Sequence, residues 1–121
     1  MRVLICAGRY YADIRTVERV LELFSQQHSQ SQPVRVLIHG GHQTLGAMIE
    51  RWAREADVHV VRYPANWALH GKYAEIRRNL FMIEDSQPDV ILAFAAGEDT
   101  ADCIKFARRV GIKVMEMDVS R

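Results

Sequence analysis

Five short apolar runs, at residues 3–7, 34–38, 58–63, 90–94 and 112–117, punctuate a chain whose other stretches repeat their apolar positions every three to four residues. The runs are rich in Val, Ile and Leu and nearly unbroken, the pattern of strands covered on both faces. Four helices are predicted between them. In the first, Asp13 stands as N-cap ahead of a stripe of Ile14, Val17, Leu21 and Phe24. It gives way to the polar stretch SQQHSQSQP, which reads as a loop. The second carries Leu45, Met48, Ile49, Trp52, Ala53 and Ala56, with Trp52 on the core side. The third covers residues 72–84 with Ile76, Leu80 and Ile83 inward. The fourth carries Ala101, Ile104, Ala107 and Val110, and Gly111 ends it as a C-cap glycine would.

Strands that alternate with helices imply right-handed crossovers and a mostly parallel sheet. The expected fold is therefore a single α/β domain over residues 1–121. It is a Rossmann-like three-layer sandwich, with helices on both faces of a five-stranded parallel sheet in the usual order 3-2-1-4-5. That order puts a topological switch between the first and fourth strands. Ligands of open α/β sheets bind at such a switch, outside the carboxyl ends of the strands.

Composition narrows the function. A chain of 121 residues can build one core without disulfide or metal staples. The net charge of +1 speaks against nucleic-acid binding, which phosphate neutralisation drives. Cys6 and Cys103 form no metal-type pair and no disulfide framework, so a reducing compartment is expected, with Cys6 in the core. The opening MRVLICAG is too short and too soon interrupted for a signal peptide or a membrane span. A cytoplasmic protein that engages no membrane is the expectation.

Four loops converge on the carboxyl edge: AGRYYAD, HGGHQTLG, PANWALHGK and AAGEDT. Glycine and small residues there let the backbone approach a ligand, and the helix starts behind them suit an anion. Arg9 follows the first strand, and the third helix carries Arg77, Arg78 and Asn79. Arg9 and Arg78 read as anion-facing forks and Arg77 as a solvated surface charge. Trp67 either anchors its loop on the core, the favoured reading, or offers a base a flat stacking surface. Tyr11 fits stacking or capping. Neither G-x-G-x-x-G nor a Walker A sequence is present, and no cofactor is expected. His39 and His42, even with His70 brought near, lack the further ligands zinc wants, so no metal site is expected. Asp99 and Asp102 disfavour a Cys103 thiolate, which leaves a packed cysteine, and Glu98 and Asp99 read as helix-start carboxylates.

These loops together resemble the YspA-type branch of the SLOG superfamily, the Rossmann-like group related to the DprA/Smf and LOG proteins. The likeness covers nearly the whole chain. A strand leads into G-S-R-x-Y-x-D, here Gly8 to Asp13 with Ala7 before it. H-G-G-A-R-G-A-D is matched by HGGHQTLG ahead of Trp52 and Ala53. P-A-D-W, G-K and R-N-x-x-M are matched by Pro64, Ala65, Asn66, Trp67, Gly71, Lys72, Arg78, Asn79 and Met82. A-F-x-G-G-x-G-T is matched by AFAAGEDT, ending at Thr100.

The resemblance implies binding of a nucleotide or nucleotide-derived ligand, as a sensor-type domain. The alternative it implies is a nucleotide-processing hydrolase that cleaves an N-glycosidic or phosphoester bond, as in the LOG phosphoribohydrolases. The site carried over by position comprises Gly8, Arg9, Gly40, Gly41, Asn66, Trp67, Lys72, Arg78, Asn79, Gly97 and Thr100, beside Tyr11. The chain departs from the pattern at Gln43 and Gly46, where the family has Arg and Asp, and at Ala96 and Asp99, where it has glycines. Cys103 takes the place of the LOG catalytic glutamate, so a binding module is expected rather than an enzyme. Single-strand nucleic-acid binding, as in the DprA relatives, is disfavoured by the near-neutral charge. A sensor without a second domain needs a homo-oligomer or a separate effector chain to signal through.

Overall fold

The computed structural model describes residues 1–8, 11–94 and 98–117, and for residues 98 and 99 the backbone alone. Five strands, β1 (Arg2–Ala7), β2 (Val36–His39), β3 (His59–Arg62), β4 (Val90–Phe94) and β5 (Lys113–Met117), form one parallel sheet in the order β3-β2-β1-β4-β5. The helices are α1 (Ile14–His28), α2 (Gln43–Glu55), α3 (Trp67–His70), α4 (Ala74–Ser86) and α5 (Glu98–Arg109), with a 3₁₀ turn at Gly71–Tyr73. The expected Rossmann-like order is the one observed.

Alternation along the central strands divides the interior into two cores, because successive side chains leave a strand on opposite faces. Val3, Ile5 and Ala7 of β1 pack with Val17, Leu21 and Phe24 of α1 and with Met48, Ile49 and Trp52 of α2. Leu4 and Cys6 face the other way, against Met82 and Ile83 of α4 and Cys103 and Ala107 of α5. Trp52 is in the core as expected, and its indole N–H donates to Glu22 Oε1 at 2.6 Å. Among the described residues no helix is long and apolar enough to cross a membrane.

Asp13 caps α1 by accepting from the Thr16 amide, and Gly111, at φ +84, follows the end of α5. Several local expectations give way to tertiary context. The polar stretch predicted as a loop supplies the last turn of α1: the His28 ring lies 4.2 Å from that of Phe24, and its Nδ1 is 3.0 Å from the Phe24 carbonyl oxygen. β3 is not covered on both faces. It is an edge strand with β2 as its single neighbour, and Val61 and Arg62 are exposed. In α4 the buried residues are Ala74, Asn79, Met82 and Ile83, whereas Ile76 turns outward, 38% exposed. The buried Asn79 takes the inward position that an apolar periodicity assigns to its neighbours. Ala56, Ala101 and Val110 are exposed as well. The segment read as a loop after the third strand folds into α3 and the 3₁₀ turn.

Candidate functional site

The strands β1 and β2 end side by side, and Arg78 of α4 reaches the loop that leaves β2. Gly8, buried, follows β1, and its carbonyl accepts from the Tyr11 amide at 3.0 Å. Gly40 and Gly41 follow β2, with Gly41 at φ +84, a conformation costly for any residue with a Cβ. Arg78 reaches from α4 across this loop. Its Nη1 donates to the Gly40 carbonyl and, at 3.4 Å, to the Tyr63 carbonyl, and its Nε donates to Asn79 Oδ1 at 2.7 Å. Gly40 is required for this approach, since a Cβ there would stand 2.3 Å from Nη1.

Ala7, Gly40, His42, Arg78 and Asn79 enclose a cavity of about 10 Å³, room for roughly one water. His42 reaches into it, with Nε2 3.2 Å from the Ala7 carbonyl oxygen. The imidazole therefore donates, because a carbonyl oxygen can only accept. His42 is also the N-cap of α2, but its side chain makes no capping hydrogen bond, and no acidic residue occupies the first turn. The positive end of a thirteen-residue helix thus opens beside a guanidinium whose partners here are neutral oxygens. Among the described residues no carboxylate pairs with Arg78, and a guanidinium beside a helix start favours an anion.

A second network braces the loop from behind. His39 is 3% exposed at the end of β2. Its Nδ1 accepts from the Gly41 amide at 3.0 Å and its Nε2 lies 2.8 Å from Glu50 Oε2. An Nδ1 that accepts carries no proton, so the ring is the neutral Nε2–H tautomer that donates to Glu50. Burial holds the His39 pKa below its ordinary value, against the raising effect of Glu50. Glu50 is gripped in turn by both forks of Arg62, at 2.8 Å each, and its pKa falls to about 2 through the hydrogen bonds from Arg62 and then His39. Gly46 is packed against this ring: a Cβ would lie 2.8 Å from His39 Cε1. The glycine found where the family pattern has Asp therefore has a steric reason in this chain.

Of the residues expected at the site, Gly40, Arg78 and Asn79 converge around the cavity, with Gly41 in the loop beside it. Tyr11 packs its ring 5.8 Å from that of Phe94, and its buried hydroxyl has no hydrogen-bond partner among the described residues. Burial, then Asp13, raises its pKa. Asn66 caps the short α3 by accepting from the Leu69 amide at 3.0 Å. Trp67 does not anchor its loop in the interior as favoured above; it is 47% exposed and belongs to neither core. Lys72 is exposed, with Nζ 5.3 Å from the centre of the Tyr73 ring. Neither Trp67 nor Lys72 lines the cavity at Arg78. Thr100 is buried in the first turn of α5, 2% exposed. Arg9 and Gly97 lie outside the described residues. Arg77 is exposed as expected, and Cys103 is 1% exposed in the core under α4 and α5.

Sequence reasoning missed His42 as part of the cavity and the His39, Glu50 and Arg62 network. The only signal for the latter was the histidine ahead of the glycine pair; its partners come from a helix and an edge strand 11 and 23 residues further on.

Three comparisons bear on this arrangement. The chain is 33% identical to the Gene 61 protein of Mycobacterium phage D29 in an alignment covering 94% of each chain. No solved structure matches it significantly. Residues 1–70, which contain β1 to β3, the glycine loop, the bracing network and α3, match the YspA, cpYpsA-related SLOG family. With more than half of its length matched and the glycine loop inside that match, the chain belongs to the YspA, cpYpsA-related SLOG family.

Proposed function

We propose that this protein binds a nucleotide or nucleotide-derived ligand at the carboxyl edge of β1 and β2, as a sensor-type module. The observation that carries the reading is the Arg78 guanidinium, paired with no carboxylate among the described residues, laid over Gly40 beside the start of α2, where His42 makes no side-chain cap. A phosphate placed there takes the first-turn amides and the Arg78 fork together, and it displaces carbonyl contacts that are the weaker partners of a cation. The remaining contacts in this reading are Gly8, Tyr11, Asn66, Trp67, Lys72 and Thr100, with Arg9 and Gly97, which lie outside the described residues, completing the expected set. The exposed Trp67 indole supplies a stacking surface if its loop closes over the ligand. Cys6 and Cys103, both buried, form no disulfide, which accords with a cytoplasmic setting. Hydrolysis in the manner of the LOG enzymes is outside this reading, because Cys103 occupies the glutamate's place and faces the core.

Isothermal titration against nucleoside mono- and diphosphates, nucleoside diphosphate sugars and ADP-ribose tests it. At least one class binds, and Arg78→Ala weakens it roughly tenfold or more, as loss of a charge-assisted hydrogen bond requires. Absence of binding by every class, or an Arg78→Ala variant with unchanged affinity, refutes it.

A further inference from the structure

The outer face of α4 is apolar at its middle and oppositely charged at its two ends. Arg77, Phe81 and Glu84 stand at helical positions i, i+4 and i+7 and so share one stripe, with the half-buried Leu80 beside it. All three of the stripe are exposed, and Phe81, 60% exposed, is the most exposed aromatic ring among the described residues. Its near face meets the Tyr63 ring edge-on at 5.8 Å, and Tyr63 is held by a hydrogen bond from its hydroxyl to Asp85 at 2.6 Å. The Tyr63 ring thus backs the phenyl on its inner side, with its outer side left to solvent. Ile76 lies next along the same outer surface, 38% exposed. Glu50, Arg62 and Arg78 are tied up in the networks described above, whereas Arg77 and Glu84 have no ion-pair partner in the described structure.

This arrangement is complementary to itself. When a second α4 is laid antiparallel about a two-fold axis between positions 80 and 81, Arg77 of each chain faces Glu84 of the other. The Phe81 and Leu80 side chains of the two chains meet at the centre. The two helix dipoles also oppose one another favourably. A symmetric pairing repeats each contact twice, which is the geometry of an isologous two-fold interface. Any other orientation of the two helices sets Arg77 against Arg77 or leaves the charges unmatched.

We propose that a second copy of this chain covers the exposed face of α4, forming an antiparallel two-fold dimer through Phe81, Arg77 and Glu84. The pairing is independent of the ligand reading, since none of these three side chains lines the cavity at Arg78.

Sedimentation velocity across the micromolar range, with circular dichroism to establish folding, tests the dimer. The natural chain shifts from monomer to dimer as concentration rises. Phe81→Glu remains monomeric with an unchanged spectrum. Arg77→Glu and Glu84→Arg each place like charges opposite one another twice and weaken dimerisation roughly tenfold, and the double variant restores it. A natural chain that stays monomeric throughout, a dimer unaffected by Phe81→Glu, or a double variant no better than the single ones overturns the proposal. The charge exchange retains Phe81 and its Tyr63 contact, so it decides the question even if Phe81→Glu fails to fold.

Discussion

Arg78 lies directly over Gly40, and only the missing Cβ allows it: a methyl group at position 40 would stand 2.3 Å from Nη1. The backbone just after β2 and a side chain of α4, 38 residues apart, are thereby joined at one point of the sheet edge. The obstructed atoms are the far end of a flexible side chain, so they can move aside. Gly40→Ala is therefore expected to fold with little loss, about 1 kcal/mol or less, while the guanidinium leaves its position. In the titration described above, Gly40→Ala should lose nearly as much nucleotide affinity as Arg78→Ala. Natural affinity in Gly40→Ala would show that the placement of Arg78 is irrelevant to binding.

Gly46 presents the opposite case. It sits in α2 against a ring that cannot step aside, because His39 is held at both nitrogens by Gly41 and Glu50. Alanine in a helix interior ordinarily stabilises by about 1 kcal/mol relative to glycine. Here Gly46→Ala is expected to destabilise by about 1–3 kcal/mol, the range for overpacking a closed site. Urea denaturation of the two proteins decides the sign.

Acid should act on the same network. The folded-state pKa values of both His39 and Glu50 are depressed, His39 by burial and Glu50 by its hydrogen bonds from Arg62 and His39. A depressed group stabilises the fold above its unfolded value and loses that contribution as pH falls through the folded one. For His39 the loss begins below 6.5, and for Glu50 it runs from 4.5 to about 2. Protonating His39 also places a proton on Nδ1, where the Gly41 amide now donates. Stability measured by urea between neutral pH and pH 3 should decline steadily, and Glu50→Gln should flatten the part below 4.5. A variant as acid-sensitive as the natural protein would dissociate the network from that decline.

Restoring a glutamate at the LOG position should not restore LOG chemistry. Cys103 is 1% exposed among Leu4, Ile38, Met82 and Ile83, on the far side of the sheet from α1 and α2. A carboxylate there is taken out of water into an apolar core, at a cost of several kcal/mol. Cys103→Glu is expected to fold poorly and to release no free base from any nucleotide. Turnover by that variant, read as base release by chromatography, would reopen the hydrolase reading.

Much of the fold was legible along the chain. The apolar runs marked five strands, the three-to-four-residue spacing marked the long helices, and Asp13 and Gly111 marked two helix boundaries, because each of these signals is local. β3 and α4 misled for a shared reason. Whether Val61 or Ile76 is covered depends on what lies beside it, and an edge strand and an outer helix face have nothing there within the described residues. The glycine loops, Arg78 and Asn79 were recognisable as candidates from residue type and order.

What the amino-acid order determined by itself was the succession of elements, and with it a parallel sheet whose carboxyl edge collects the glycine loops. Right-handed crossovers and the two-residue period of strands leave little other choice. Only the folded chain decided which side chains meet at that edge. It brought Arg78 onto Gly40, sealed His39 between Gly41 and Glu50, and left Trp67 and Phe81 exposed to solvent. Contacts between residues dozens of positions apart depend on packing distances of a few ångströms, and no local pattern of polar and apolar residues encodes those.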